Sequence, residues 1–358
     1  MRSSFALVAS LALAVSGCGG DDADEVDAAT ADAAIDALAV DAGPDAPPAF
    51  VPPTALSETG LYSDLANLVI AADALEYAPR WQLWSDEAVK RRWIYLPPGS
   101  HIDTTDMNFW HFPQGTKLWK EFARGGRRIE TRFMQKIGTG DAWTDWYFVS
   151  FQWSLDGTGD PLPVPDGVVD DAGPNDIPGR SDCRKCHADT RIPSVVIGFS
   201  ALQLDFAATG LDLHQLVVDG WLTAPPAGGD ATTPYFPLPA GDALTRDAMG
   251  YLHANCGNCH NSLSDVRDTV GLNLRQDVDN LASWAGTLPF TSTVDVMNQT
   301  GATGATAIVE PGRPAASALY YRLTTTGGQR MPPVGRELVD PTGSEAVRAW
   351  IASLPPTP

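Results

Sequence analysis

The spacing of hydrophobic residues changes along the chain, and each change predicts a different kind of structure. Four short runs rich in aromatic and β-branched residues are separated by turns containing Pro or Gly, and they cover residues 91–96, 116–122, 127–137 and 143–153. In the third run, Ile129, Thr131 and Phe133 alternate with charged residues, which is the pattern of a half-buried strand. The pattern predicts an antiparallel β-rich module over residues 55–155. Its first part, residues 55–76, is expected to be helical.

Hydrophobic residues recur at helical spacing in the C-terminal third. Leu244, Ala248 and Leu252 share one face of a predicted helix, with Asp242 as its N-cap. Residues 342–345 form a capping box before a final helix. The sequence therefore predicts an α+β fold in which a β-rich N-terminal module is followed by an all-α domain. The predicted segments are a β-rich module at 55–155, a segment at 156–240 that carries the first of two cysteine motifs, and a C-terminal domain at 241–358.

Two copies of the pattern C-x-x-C-H carry the candidate chemistry. They are Cys183-Arg184-Lys185-Cys186-His187 and Cys256-Gly257-Asn258-Cys259-His260. This pattern is the attachment site of a c-type haem. Two thiols three positions apart lie on one turn and bond to the same porphyrin, while the adjacent histidine ligates the iron. The sequence therefore predicts two covalently attached haems c, with His187 and His260 as iron ligands.

The shorter pattern C-x-x-C also occurs in zinc sites and in redox-active thiol pairs. A zinc site needs four ligands, usually from paired cysteine motifs. A thioredoxin-type thiol pair lies in a βαβ pattern, which this sequence lacks. Two copies of the full pattern, together with an export signal, favour haem.

The N-terminal segment has the features of an export signal. Arg2 precedes an apolar run from Phe5 to Val15, which is too short to span a bilayer. Val15-Ser16-Gly17-Cys18 resembles the lipobox of bacterial lipoproteins. That resemblance implies a signal peptide at residues 1–17 and a lipid on Cys18, on the periplasmic side of a bacterial membrane or at the cell surface. An ordinary secretory signal with a chance cysteine is the alternative.

Charge and composition limit the partners. Residues 18–50 contain nine acidic residues and no Lys or Arg, which predicts a disordered acidic tether. The whole chain has 24 basic and 44 acidic residues, a formal net charge of −20. Such a surface repels nucleic acid and favours a basic redox partner protein.

Eight of the eleven tryptophans fall between residues 80 and 153. Tryptophan at this density is typical of a small β core, and that is the preferred interpretation. A surface that contacts haem or carbohydrate is the alternative.

Residues 242–354 resemble a class I cytochrome c domain. In that family a helix precedes the haem motif, a methionine loop follows, and a closing helix crosses the first. Arg330-Met331-Pro332-Pro333 matches the methionine loop. The resemblance implies that Met331 is the distal iron ligand of the second haem.

A longer span, most of residues 80–354, is similar to a family of bacterial periplasmic haem lipoproteins with no settled function. The matching segments are 84–86, 90–94, 115–122, 130–132 and 250–256. This resemblance supports the architecture and implies no substrate.

No methionine loop follows the first motif, so its distal ligand stays open. The candidates are His214, His253, His111, Met134, water or no ligand. A closed site predicts an electron carrier, because an iron with two protein ligands has no open position. An open site predicts a haem-dependent, peroxidase-like oxidoreductase. The sequence favours the carrier and assigns no catalytic residue.

Overall fold

The computed structural model describes residues 50–169, 176–189, 191–193, 195–301 and 303–356. The predicted signal peptide, the predicted lipidation site Cys18 and nearly all of the predicted tether lie outside these residues. Within them, no helix has both the length and the apolar character needed to cross a membrane.

The β-rich module is a six-stranded antiparallel sheet whose strands follow chain order. Its strands are β3 (Leu75–Glu76), β4 (Val89–Tyr95), β5 (Lys117–Arg124), β6 (Arg127–Lys136), β7 (Trp146–Gln152) and β8 (Leu162–Pro163). The four predicted strands are confirmed as β4 to β7. A separate pair, β1 (Tyr62–Asp64) and β2 (Val69–Ile70), precedes the sheet.

The helix predicted for residues 55–76 is wrong. This segment contains one short 3-10 helix, Leu56–Thr59, and then the short strands β1, β2 and β3. Leu56 and Leu61 are fully buried against one face of the sheet. The segment therefore takes its conformation from the sheet that it covers, and its helical spacing of apolar residues does not decide the outcome.

Hydrophobic clusters cover both faces of the sheet, and the alternation predicted for residues 129–133 is confirmed except at Glu130. Thr131 and Phe133 are buried on one face, and on the other Arg132 is 35% exposed whereas Glu130 is 3% exposed. Trp93, Trp119, Phe133 and Val149 are cross-strand neighbours on the face that residues 56–74 cover. Ile94, Leu118, Met134 and Phe148 form the neighbouring row on the opposite face. Five of the eight tryptophans between residues 80 and 153 are buried, which confirms the core interpretation for Trp93, Trp110, Trp119, Trp146 and Trp153.

The helices after the sheet pack in two places. Three short ones are α1 (Arg180–His187), α2 (Ala201–Leu204) and α3 (Leu213–Val218), and α2 and α3 bury leucines in the core on the second sheet face. The others are α4 (Ala243–Asn255), α5 (Asp265–Val270), α6 (Leu288–Thr291), α7 (Ala318–Thr324) and α8 (Pro341–Ser353). Met249, Leu252, Leu319, Val347 and Trp350, from α4, α7 and α8, share one buried cluster.

The helix caps explain where the C-terminal helices begin. Asp242 accepts a hydrogen bond from the Thr245 N–H at 2.6 Å, which confirms it as the N-cap of α4. The capping box predicted at 342–345 is wrong, because α8 begins two residues earlier. Asp340 is the N-cap, and Pro341 follows at the first helical position, where its missing N–H costs nothing.

The segment before β4 joins the sheet to the C-terminal helices. The Trp84 N–H donates to Asn255 Oδ1 at 2.7 Å, and Trp81 packs against Gly250 where any side chain would collide. Residues 50–358 form one compact unit. The mixed architecture, an antiparallel sheet with helices, is therefore as predicted at the level of fold class.

Candidate functional site

The first C-x-x-C-H motif lies on α1, which packs against strand β7. The Ser150 hydroxyl of β7 donates to Pro178 O at 3.0 Å, just before the helix begins. Phe148 of the same strand lies 5.1 Å from the His187 ring, centroid to centroid. The predicted site residues Cys183, Cys186 and His187 are thus brought onto one turn facing the sheet, as the spacing requires.

His187 is held in a single orientation by the backbone. Its Nδ1 lies 2.6 Å from Val195 O, and since a carbonyl only accepts, Nδ1 carries the proton. Burial lowers the pKa of His187 to about 4, so the ring is neutral at pH 7. The Nε2 lone pair is therefore available for a metal, and a carbonyl on Nδ1 is the usual support of a ligating histidine. Val195 cannot be recognised from the sequence, because a main-chain acceptor can be any residue.

The second motif begins where α4 ends. The Cys256 N–H still donates to Leu252 O, while those of Cys259 and His260 donate to Cys256 O. Gly257 is required here, since a Cβ would lie 2.7 Å from His253 O and 2.9 Å from Arg275 Cα. The tight turn places both thiols and the histidine within five residues of the helix end.

His260 is also neutral at pH 7. Burial, and then the charge of Arg322, lowers its pKa to about 4. Its Nδ1 is buried, and no atom of the described residues accepts a hydrogen bond from it. Both motif histidines are therefore neutral. Nδ1 of His187 is hydrogen-bonded to Val195 O, whereas Nδ1 of His260 has no hydrogen-bond partner among the described residues.

Burial also keeps the motif thiols protonated. It raises the pKa of Cys183 to about 11 and of Cys256 to about 12. The pKa of Cys259 is raised to about 11, first by burial and then by the charge of Cys186.

Met331 is joined to α7 through Arg322. The Met331 N–H donates to Arg322 O at 2.9 Å, and the Arg322 side chain is close enough to His260 to lower its pKa. The loop is held from the other side by Asp86, whose buried carboxylate accepts hydrogen bonds from the Glu337 and Leu338 N–H groups at 3.0 and 2.7 Å. Asp86 was missed from the sequence because its partners lie 251 and 252 residues away along the chain.

The structure brings the two motifs side by side. Arg191, four residues after His187, forms an ion pair of 2.7 Å with Asp265, five residues after His260. The effect of Cys186 on the pKa of Cys259 places the second thiols of the two motifs near each other as well. Two segments that are about 70 residues apart in sequence are thus neighbours in the fold.

The open candidates for a ligand opposite His187 differ in their surroundings. His253 Nδ1 accepts from the Gln276 N–H at 2.9 Å, so Nε2 carries the proton and has no lone pair to offer. His214 Nδ1 lies 3.2 Å from the Tyr235 hydroxyl. Met134 shares a hydrophobic cluster with Cys183 and Val195.

His111 lines an open cavity of about 440 Å³. Its Nδ1 lies 2.7 Å from an Asp141 oxygen, and the other Asp141 oxygen accepts from Lys136 at 2.7 Å. Neither motif contributes to this cavity lining. Among the described contacts, none joins His111 or His214 to His187.

No group of three or more His, Cys, Asp or Glu side chains is arranged to hold a metal ion in the part of the chain that the structure describes. Comparisons of the chain with protein-family models, with curated proteins and with solved structures find no match.

Proposed function

We propose that this chain is a dihaem c-type cytochrome, anchored by lipid on Cys18 at the periplasmic side of a bacterial membrane or at the cell surface, that passes electrons to and from a basic partner protein. The observation that carries the proposal is the convergence of the two C-x-x-C-H motifs, joined by the 2.7 Å Arg191–Asp265 pair. Sites for one-electron transfer have to be close together, and two such motifs in separate parts of the fold would not support a relay.

The residues of the two motifs fit a covalently attached haem. Cys183 and Cys186, and likewise Cys256 and Cys259, would form the thioether bonds, with His187 and His260 as neutral nitrogen ligands. His187 has the form that an iron ligand needs, because Val195 O fixes the tautomer that leaves Nε2 unprotonated. A bound haem supplies an iron that gains and loses one electron, while the protein supplies ligands, burial and a docking surface.

For residues 241–358 we propose the class I cytochrome c fold. Support comes from α4 and α8, which bury Leu252 and Trp350 in one cluster, and from the Met331 loop that follows α7. Met331 as the distal ligand is supported by its place in the loop after α7, where its N–H donates to Arg322 O.

Haem content tests the proposal directly. The intact mass of the denatured mature protein should show two haem additions. The double variant Cys183→Ala/Cys186→Ala should keep one addition, and so should Cys256→Ala/Cys259→Ala. Protein produced with haem-maturation machinery that carries zinc and no haem would overturn the proposal.

Ligand access then separates a carrier from a catalyst. A carrier should bind cyanide when oxidised, and carbon monoxide when reduced, only slowly, since a protein ligand has to leave first. Rapid binding at a high-spin haem would replace the carrier with a haem-dependent oxidoreductase. If the site is closed, His111→Ala and His214→Ala should be compared with His253→Ala. Only the true ligand variant converts the first haem to high spin, and the proton on Nε2 excludes His253 in this arrangement.

A further inference from the structure

The open cavity of about 440 Å³ lies where β6 ends, and two carboxylates and an imidazole surround it. Asp103 and His111 belong to its lining and are cross-strand neighbours. The Asp103 N–H donates to His111 O at 2.8 Å, and the His111 N–H donates to Asp103 O at 2.9 Å. Asp141 lines the cavity from the loop between β6 and β7, and its Oδ2 lies 2.7 Å from His111 Nδ1. Backbone pairing and a hydrogen bond thus fix these three side chains around one space.

The lining of the cavity offers hydrogen-bond acceptors to a ligand. Because a carboxylate only accepts, His111 Nδ1 carries the proton, and Nε2 of the neutral ring is a further acceptor. Lys136 also belongs to the lining, but it is 2% exposed and donates to Asp141 at 2.7 Å. It therefore offsets the charge of Asp141, whereas Asp103 is exposed and keeps its own. Such a cavity favours a positively charged group that donates hydrogen bonds.

Two aromatic ring contacts connect the wall of this cavity to the first motif. Trp143 follows Asp141 by two residues, which span at most about 7 Å. Its ring stacks on Phe148 of β7, with the centroids 4.3 Å apart and 15° between the ring planes. Phe148 lies 5.1 Å from the His187 ring, centroid to centroid. Since Trp143 is half-buried, these two contacts lead from the proposed iron ligand His187 to the protein surface.

The loop that carries Asp141 and Trp143 is closed by its own hydrogen bonds. The N–H groups of Ile137 and Gly138 both donate to Asp145 O, at 2.8 and 3.0 Å. The carboxylate of Asp145 accepts from the backbone N–H between Asp141 and Trp143 at 2.9 Å. The carboxylate at the cavity and the ring at the end of the aromatic route are therefore held side by side. We call Asp103, Asp141 and Trp143 the Trp143 face.

We propose that the basic redox partner docks at the Trp143 face, places a lysine or arginine side chain in the cavity, and exchanges electrons with the first haem through Trp143 and Phe148. The inference rests on the proposed function, because it assigns to that function the surface at which the partner binds. In transfer to the haem, the partner's reduced centre loses one electron, the ferric iron gains it, and no bond forms or breaks. Charge complementarity selects this occupant, since the cavity offers acceptors and the chain has a formal net charge of −20.

The docking charge is tested by stopped-flow reduction of the oxidised holoprotein with hexaammineruthenium(II), a small cationic reductant that stands in for the partner. Asp103→Asn should slow reduction of the first haem by about fivefold or more at low salt, the effect of one unit charge at about 4 Å in water. The difference should vanish at high salt, where such charges are screened. The amide keeps an oxygen to accept from the Thr105 N–H. Glu58→Gln is the matched control, because it removes the same charge from an exposed residue in the segment that covers the other sheet face.

The aromatic route is tested with the same reductant at high salt. Trp143→Leu should slow reduction of the first haem at every salt concentration, because it removes a ring of the route and no charge. Trp143→Phe keeps a ring against Phe148 and should retain most of the rate. The potential of the first haem, identified as the one that does not respond to Met331→Ala, is measured in each variant so that rates are compared at equal driving force.

Intact mass is measured on the same samples, so that two failures are distinguishable. A wild-type protein without two haem additions overturns the proposed function and this inference with it. With two haem additions present, equal low-salt rates in Asp103→Asn and Glu58→Gln overturn the inference alone. A wild-type rate in Trp143→Leu at high salt does the same.

A measurement on the wild-type holoprotein decides the matter if a variant does not accumulate. Hexaamminechromium(III) is a paramagnetic cation that broadens the nuclear resonances of the groups it approaches. Added to the reduced protein with ¹⁵N-labelled tryptophan, it should broaden the assigned indole N–H resonance of Trp143 more than those of the other tryptophans. An unbroadened Trp143 resonance, at a concentration that broadens another tryptophan, would overturn the inference.

Discussion

Asp86 offers the sharpest test of how the sheet and the C-terminal part are joined. Its carboxylate is 5% exposed and accepts from two main-chain donors, the Glu337 and Leu338 N–H groups. These donors lie in the loop that follows Met331. Replacing Asp86 by Ala removes both hydrogen bonds and leaves two N–H groups without this acceptor.

The magnitude follows from the number and kind of these bonds. A hydrogen bond to a charged group contributes about 1.5–3 kcal/mol, so Asp86→Ala should lower the free energy of unfolding by about 3 kcal/mol or more. Asp86→Asn keeps an oxygen at the Oδ1 position, which accepts from both donors. It loses only the charge and should cost about 1–2 kcal/mol.

Urea unfolding of the purified holoprotein, followed by circular dichroism, measures both effects. Glu87→Gln is the matched control, because Glu87 is the next residue, also has a positive φ, and makes only a surface ion pair with Arg124 at 3.0 Å. The control should change stability by less than about 0.5 kcal/mol. The reasoning fails if Asp86→Ala destabilises the protein no more than this control does.

Two further predictions concern the proposed anchor and the second haem. Cys18→Ser should release the protein from membranes or block its maturation, and mature protein that still fractionates fully with membranes would contradict the lipid anchor. Met331→Ala should abolish the weak red sulfur-to-iron absorption band and lower the potential of the second haem, because a thioether ligand favours ferrous iron. Met297→Ala is its control, since Met297 is 73% exposed, and an unchanged band in Met331→Ala would assign the ligand to another methionine.

Local patterns predicted the central strands and α4 well. Strand β6 was expected at 127–137 and spans Arg127–Lys136, because its turns and its β-branched residues act over a few positions. Asp242 was identified as an N-cap for the same reason, since its hydrogen bond closes within three residues.

Predictions failed where distant parts of the chain decide the structure. Residues 55–76 have a helical spacing of apolar residues, yet Leu56 and Tyr62 are buried against the sheet in 3-10 and strand conformations. The alternation along β6 predicts one solvent-exposed face, whereas Glu130 on that face is 3% exposed. A periodic pattern reports one face of an element and cannot report what packs on the other.

The same limit applies to the candidate site. The two motifs are visible in the sequence, and their residues are the ones that the structure assembles. Their closeness is a long-range property, seen in the ion pair of Arg191 with Asp265, and the row of Arg92, Lys120 and Arg132 depends on the register of β4, β5 and β6. Register is set by packing, so Lys120 was indistinguishable in the sequence from an ordinary surface lysine.

The buried surroundings of His253 determine both its tautomer and its lowered pKa, and the pH dependence of stability tests them. The ring is 4% exposed, its Nδ1 accepts from the Gln276 N–H, and the Trp81 ring lies 5.4 Å away. Burial, and then the charges of Arg275 and Arg80, lowers its pKa to about 3. The folded state therefore excludes a proton that the unfolded state takes up below its ordinary pKa of about 6.5.

The sign of the pH dependence follows from this difference. Stability from His253 is fully present above about pH 6.5 and is lost as the pH falls towards 3, at about 1.4 kcal/mol per pH unit. Between pH 7 and pH 5 the loss is about 2 kcal/mol. His253→Asn keeps an acceptor near the Nδ1 position and cannot take up a proton, so its urea midpoint should fall less over this range than that of the wild type. Equal slopes for wild type and His253→Asn would show that the fold does not exclude a proton from His253, and would contradict a lowered pKa for this ring.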